Sequence, residues 1–205
     1  MRLQTSCRNR CPKIAITHCI VLALCMTICA VNTIAGEAQT LVSGRAVGEH
    51  VPQFYVRAVT GPLMNKSICY VCRNGDRPVI MVFLRDVVPG TADLLKELDR
   101  FVDQNRAVGV RGFGVLLSEN QRVATSKLQT LSYDNQLSLP LTMAHPQVES
   151  AENQNLHPDA AITVVLYHDH TVAASYAFRE TEVTKERIAA VMSGVRDLVA
   201  KAKAE

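Results

Sequence analysis

The sequence predicts an α/β domain, a central mixed β-sheet flanked by helices, behind an N-terminal signal segment. Three observations carry the prediction. Residues 79–84 and 113–117 are apolar without alternation, as strands buried on both faces are. The stretches after Thr91 and Thr184 repeat apolar residues at helical spacing. Residues 162–167 and 172–178 are two strand-like runs with only His168-Asp169-His170-Thr171 between them, which fits an antiparallel hairpin.

The first residues carry Arg2, Arg8, Arg10 and Lys13 with no acid, and an apolar run from Ile14 to about Val31 follows. That is the layout of a secretory signal, with small residues placing cleavage after Ala35 or, second, Ala38. Residues 1–35 are therefore expected to be a signal peptide, and the protein to be exported to a periplasmic or extracellular space. The alternative is an uncleaved anchor, which needs about 20 apolar residues. Thr17, His18, Thr27 and Asn32 dilute this run, so membrane contact is expected only if the segment stays on. Leu24 and Ile28 stand where a small residue would precede a lipid-modified Cys25 or Cys29.

Cleavage changes the bulk numbers. The chain has 22 Lys+Arg and 19 Asp+Glu; losing four cations and no acid takes the formal charge from +3 to −1. The remaining balance offers no bulk basic face, so no nucleic-acid partner is expected. Five of the seven cysteines lie at positions 7, 11, 19, 25 and 29, leaving Cys69 and Cys72 in the mature chain. About 170 residues suit one domain.

Residues 36–50 are small and polar without a period and read as a flexible lead-in; the domain is expected over 51–205. Residues 54–59 suit a short strand stopped by Thr60-Gly61-Pro62. A loop then carries the two cysteines and an Asn74-Gly75 turn signal. Residues 79–84 should be the central strand. Thr91 is expected to be the N-cap of a helix with Leu94, Leu95, Leu98, Phe101 and Val102 on one face. After the strand at 113–117, a weaker helix runs from Asn120 to about Leu131 with Val123, Leu128 and Leu131 as its stripe. Residues 139–143 suit a short strand, and 144–160 an irregular connection. Thr184 caps the last helix, whose stripe is Ile188, Val191, Met192, Val195, Leu198 and Val199.

A βαβ unit followed by a hairpin and closing helix, with the opening Val47-Gly48-Glu49-His50-Val51-Pro52-Gln53-Phe54, resembles the thioredoxin-like superfamily in its redoxin-type branch over residues 47–200. The resemblance implies reactive cysteines just after the central strand, where a helix N-terminus favours thiolate. That stretch here reads Phe83-Leu84-Arg85-Asp86-Val87-Val88-Pro89-Gly90-Thr91, without cysteine. The family's cis-proline would fall near Ile162 and is missing too. The resemblance therefore implies the scaffold with its standard catalytic motif erased.

Cys69-Tyr70-Val71-Cys72 precedes the central strand, where no helix N-terminus is predicted. Three readings stand side by side. The pair is redox-active, exchanging with protein thiols or disulfides, with Lys66, Arg73 and Arg77 favouring thiolate. Or it is a structural disulfide clasping a loop in a non-enzymatic binding domain. Or the thiolates join His168 and His170 around zinc or copper, since the hairpin turn should reach the same sheet edge as the cysteines. Enzymatic activity is left open, and no other cofactor is expected. Gly109, Gly112 and Gly114 read as packing or turn features, because they do not form a nucleotide-binding pattern. His145-Pro146 and His157-Pro158 read as loop punctuation, Arg85 and Asp86 as a solvated strand end, and Asn65-Lys66-Ser67 as a glycosylation sequon for a host that uses it.

Overall fold

In the computed structural model, which describes residues 40–204, the chain forms β1 (Val56–Ala58), β2 (Ser67–Ile68), α1 (Tyr70–Asn74), β3 (Val79–Leu84), α2 (Thr91–Gln104), β4 (Arg111–Leu116), α3 (Gln121–Asn135), β5 (Leu141–Ala144), β6 (Ile162–His168), β7 (Thr171–Phe178) and α4 (Lys185–Ala202). Short 3₁₀ turns cover Arg106–Val108 and Pro146–Glu149. The strands make one mixed sheet in the order β2-β1-β5-β4-β3-β6-β7. β3 runs parallel to β4 and antiparallel to β6, and β4 runs parallel to β5.

All six residues of β3 are buried, as the unbroken apolar run predicts. Successive side chains of a strand point to opposite faces. Ile80, Val82 and Leu84 therefore meet the buried faces of α2, α3 and α4, while Val79, Met81 and Phe83 enter a second core. That second core holds Val51, Phe54, Tyr70, Val71, Phe113 and Tyr167 and is covered by α1 and irregular chain.

The expected helices are present, with local differences. Thr184 caps α4, its side chain accepting from the Arg187 N–H. Thr91 is not the cap of α2; Gly90 is, in a left-handed conformation with φ 86°. Thr91 is buried instead, and its hydroxyl accepts from the Val88 N–H at 2.9 Å. α3 turns Ala124, Leu128 and Leu131 inward and leaves Val123 47% exposed. The Asn120 cap sets the helix phase so that Val123, whose N–H it binds, faces out.

The connection through the cysteines is not a loop throughout. It contributes the edge strand β2 and the five-residue α1, both too short to show a period in sequence. The second half of the expected flexible lead-in is tied to the fold by hydrogen bonds. Ser43 is buried against Thr163 with a 2.7 Å hydroxyl contact, and Gly48 and Glu49 exchange backbone hydrogen bonds with Val172. Residues 48–50 thereby cover the start of the edge strand β7, where unpaired backbone groups would otherwise face solvent. The expected signal peptide lies outside the described residues.

The glycines before and within β4 act as packing and turn features. A Cβ on Gly112 would stand 2.7 Å from a Leu139 methyl, and one on Gly114 2.9 Å from a Leu141 methyl. At Gly90 the constraint is tighter, since a Cβ would lie 2.4 Å from the Val183 carbonyl oxygen. Gly90→Ala is expected to cost about 1–2 kcal/mol for the left-handed backbone and about 1–3 kcal/mol for the displaced neighbour. Urea unfolding with an unchanged slope and a lower midpoint would read that loss.

Candidate functional site at the Cys69–Cys72 disulfide

Cys69 and Cys72 are joined in a disulfide with their Cα atoms 5.4 Å apart. The absence of a helix start at the pair, expected from sequence, is corrected here: Cys69 is the N-cap of α1. The four first N–H groups of a helix have no partner inside it, and the Cys72 N–H donates to Cys69 Sγ at 3.1 Å. Cysteine is not among the residues that usually mark an N-cap, which is why the helix start was illegible.

The two sulfur-bearing residues differ in access. Cys69 is only 5% exposed and belongs to the second core, whereas Cys72 is exposed. Val71 is fully buried, and the Tyr70 ring stacks on Phe113 with centroids 4.9 Å apart. A helix of five residues has little stability of its own, so this packing holds the cysteine pair in place. Burial pushes the Tyr70 phenol above its ordinary pKa, with the nearby Arg73 guanidinium opposing. Tyr167, wholly buried behind α1, is pushed up more strongly by burial, with the Asn74 amide opposing.

The histidines of the β6–β7 turn reach the predicted sheet edge. Asp169 and His170 both have positive φ, 47° and 55°, as a two-residue hairpin turn of matching twist demands. The turn meets the segment after α1: the Asp169 N–H approaches the Asp76 carbonyl oxygen at 3.4 Å, and His170 Nε2 lies 3.8 Å from the Asp76 carboxylate. His170 also faces the His50 ring, with centroids 5.7 Å apart. Cys69, Cys72, His168 and His170 do not converge; among the described residues no three His, Cys, Asp or Glu side chains form a group able to hold a metal.

At the opposite end of β3, Arg85 and Asp86 are not merely a solvated strand end. Arg85 pairs with Glu149 and donates to the His157 carbonyl oxygen, so the irregular connection is pinned across this end of the sheet. Asp86 pairs with Lys127 of α3 at 2.6 Å, and that hydrogen bond, with one from the Val87 N–H, holds its carboxyl below the usual range. These pairings join residues 41 and 64 positions apart, a distance at which local sequence carries no signal. No cysteine lies in residues 85–91, and no cis peptide bond occurs among the described residues.

A seven-stranded mixed sheet with this order and with flanking helices defines a thioredoxin-like fold. No family model matches the chain, and no curated protein matches it in sequence. Solved structures do match in fold. A protein from Chlorobium tepidum provisionally named thiol:disulfide interchange protein DsbE is 12% identical with a TM-score of 0.57, over 75% of this chain and 98% of that one. A protein from Bacteroides thetaiotaomicron provisionally named protein disulfide isomerase is also 12% identical, with a TM-score of 0.59 over 78% and 95%. The thioredoxin domain of a thiol-disulfide oxidoreductase from Bacteroides vulgatus is 11% identical, with a TM-score of 0.53 over 74% and 99%.

Phe113→Ala should cost about 3–5 kcal/mol, the usual range for an emptied aromatic core site. It should also speed amide exchange at Val71 and Cys72 more than in β6. Equal acceleration in both places would mean that the Tyr70 stack does not hold the disulfide helix.

Proposed function

We propose that the protein is an exported thiol-disulfide exchange protein acting through Cys69 and Cys72, with the position after the central strand given up as a redox site. The observation that carries this reading is the asymmetry of the pair: Cys72 is exposed, whereas Cys69 is buried and its sulfur is met by a backbone N–H. An incoming partner thiolate attacks Cys72 Sγ, the S–S bond breaks, and Cys69 leaves as a thiolate stabilised by the Cys72 N–H. A second thiolate of the partner then attacks the partner sulfur of the mixed disulfide and releases Cys72. The partner dithiol becomes a disulfide, and the protein pair takes up two electrons and two protons. In reverse, Cys72 attacks a partner disulfide and Cys69 resolves the mixed species. The likeness of fold to proteins whose names speak of thiol-disulfide chemistry supports the reading.

The second reading is a structural clasp in a binding domain, favoured by the burial of Cys69 in the second core. A disulfide spanning only three residues in sequence restrains the unfolded chain by about 2 kcal/mol, near the low end for such bonds. Export through a cleaved segment 1–35 belongs to the proposal, and so does the alternative that reduction frees the two cysteines to close on zinc or copper with His168 and His170, which the disulfide-bonded form does not bring together. Among the described residues no helix is long and apolar enough to cross a membrane.

Redox titration of the exported chain tests the central point. The pair is expected to equilibrate well above the roughly −300 mV below which structural disulfides lie. Reduced Cys69→Ser should trap a mixed disulfide on Cys72, while Cys72→Ser, left with a buried thiol, should trap far less. A potential below that value, or equal trapping by both variants, would sink the exchange reading in favour of the clasp. Intact mass under native conditions reports the rest: a start at Gly36 supports cleavage, and metal retained by the reduced chain but lost in His168→Ala/His170→Ala would support the metal site.

A further inference from the structure

Beside α1 lies a cavity of 460 Å³ whose charged lining consists of Arg73, Arg77, Arg106 and Arg111. No carboxylate lines it. The carboxylates nearby are engaged elsewhere: Asp99 accepts from the backbone N–H groups of Ser138 and Leu139, and Asp103 pairs with Arg106 at 3.4 Å. Among the described residues Arg73, Arg77 and Arg111 form no ion pair. The Arg77 and Arg111 guanidinium groups spend hydrogen bonds on backbone carbonyls of Asn74, Arg106 and Val110, which fixes them without neutralising them. Burial, and after it the charges of Arg77 and Arg106, hold Arg111 below its ordinary pKa.

With only Arg106 paired to a carboxylate, the convergence of Arg73, Arg77 and Arg111 on one concavity is electrostatically unfavourable unless a further anion joins them, and a guanidinium offers a planar fork suited to a carboxylate. The wall nearest the disulfide is Arg73, the residue after exposed Cys72, so the two Cα atoms are about 3.8 Å apart. We infer that the cavity binds the carboxylates of an acidic peptide segment next to a cysteine, making acidic peptide disulfides the preferred exchange partners of Cys72. This rests on the exchange reading above. The cavity is small beside a nucleic-acid groove and presents no exposed aromatic ring for base stacking, because Tyr70 is buried. Peptide carboxylates fit its size and charge better than a phosphate backbone does.

Binding concentrates the acidic disulfide at the sulfur; the chemistry is unchanged. The Cys72 thiolate attacks one sulfur of the peptide disulfide, the other leaves as a thiolate, and Cys69 then attacks Cys72 Sγ to release the second peptide thiol. The peptide disulfide is reduced and the protein pair oxidised.

The test compares two disulfide-bonded peptides of equal length, with Asp and Glu or with Asn and Gln flanking the cysteines, against the reduced exported chain. At low ionic strength the acidic peptide should exchange about tenfold faster or more, within the range that focused fields give. The advantage should fall towards one near 0.5 M salt, where screening is strong. Arg106→Gln and Arg111→Gln should each lower the ratio of the acidic to the neutral rate several-fold. Equal rates for both peptides at low salt would overturn the inference and leave the exchange reading standing. If neither peptide exchanges, the exchange reading fails, and fluorescence anisotropy with an acidic serine-for-cysteine peptide decides the site. Saturable binding weakened by Arg111→Gln supports it; no binding, or tighter binding of inorganic phosphate or of a single-stranded oligonucleotide, overturns it.

Discussion

Burial of β3 on both faces is the constraint from which the rest of the structure follows. Six consecutive apolar residues cannot leave either face in water, so both must be covered. One face is covered by regular means, with three amphipathic helices closing over Ile80, Val82 and Leu84. The other is covered by a short helix, a lead segment and an irregular connection packed on aromatic rings. Phe54 lies near both Phe83 and Phe113, and Phe113 in turn stacks with Tyr70. The disulfide-bearing helix is therefore part of the cover that the central strand requires, and its position is set by packing more than by helix propensity.

That origin explains the geometry of the pair. Covering the core puts Cys69 inward and Cys72 outward, and the helix start places an unpaired N–H on the buried sulfur. A buried leaving group that is hydrogen-bonded and an exposed target sulfur are what directional exchange needs. At the other end of β3 the same scaffold has been closed by ion pairs, Arg85 with Glu149 and Asp86 with Lys127. The two ends of one strand thus carry opposite provisions, a sulfur pair before it and charge pairing after it.

The arginine cavity draws on the same geometry. α1 ends at Asn74 and the chain turns through Gly75, at φ 56°, into β3. The parallel neighbour β4 starts level with β3, Val79 opposite Arg111, so the charges before each strand meet at one edge. Parallel pairing brings Arg77 and Arg111 together although the helix α2 separates them in the chain. Residues 36–205 carry a formal charge of only −1, which conceals this local concentration of cations.

The sequence by itself determined the elements that are long or buried on both sides: β3, β4, the hairpin β6–β7, and the helices α2 and α4. Their signals are repeated over many residues, and hydrophobic burial enforces each repeat. It also singled out Cys69 and Cys72 as the two cysteines after residue 29, and determined that the hairpin turn arrives at the sheet edge near the segment they begin. Tertiary structure alone decided that Cys69 caps a helix, that residues 43–50 are hydrogen-bonded to the rest of the fold, that Val123 faces solvent, and that Arg106 and Arg111 join Arg73 and Arg77. A five-residue helix, a covering segment and a cluster drawn from three elements have no period to read. Their conformations are fixed by contacts with residues distant in the chain, and only the folded sheet brings those residues together.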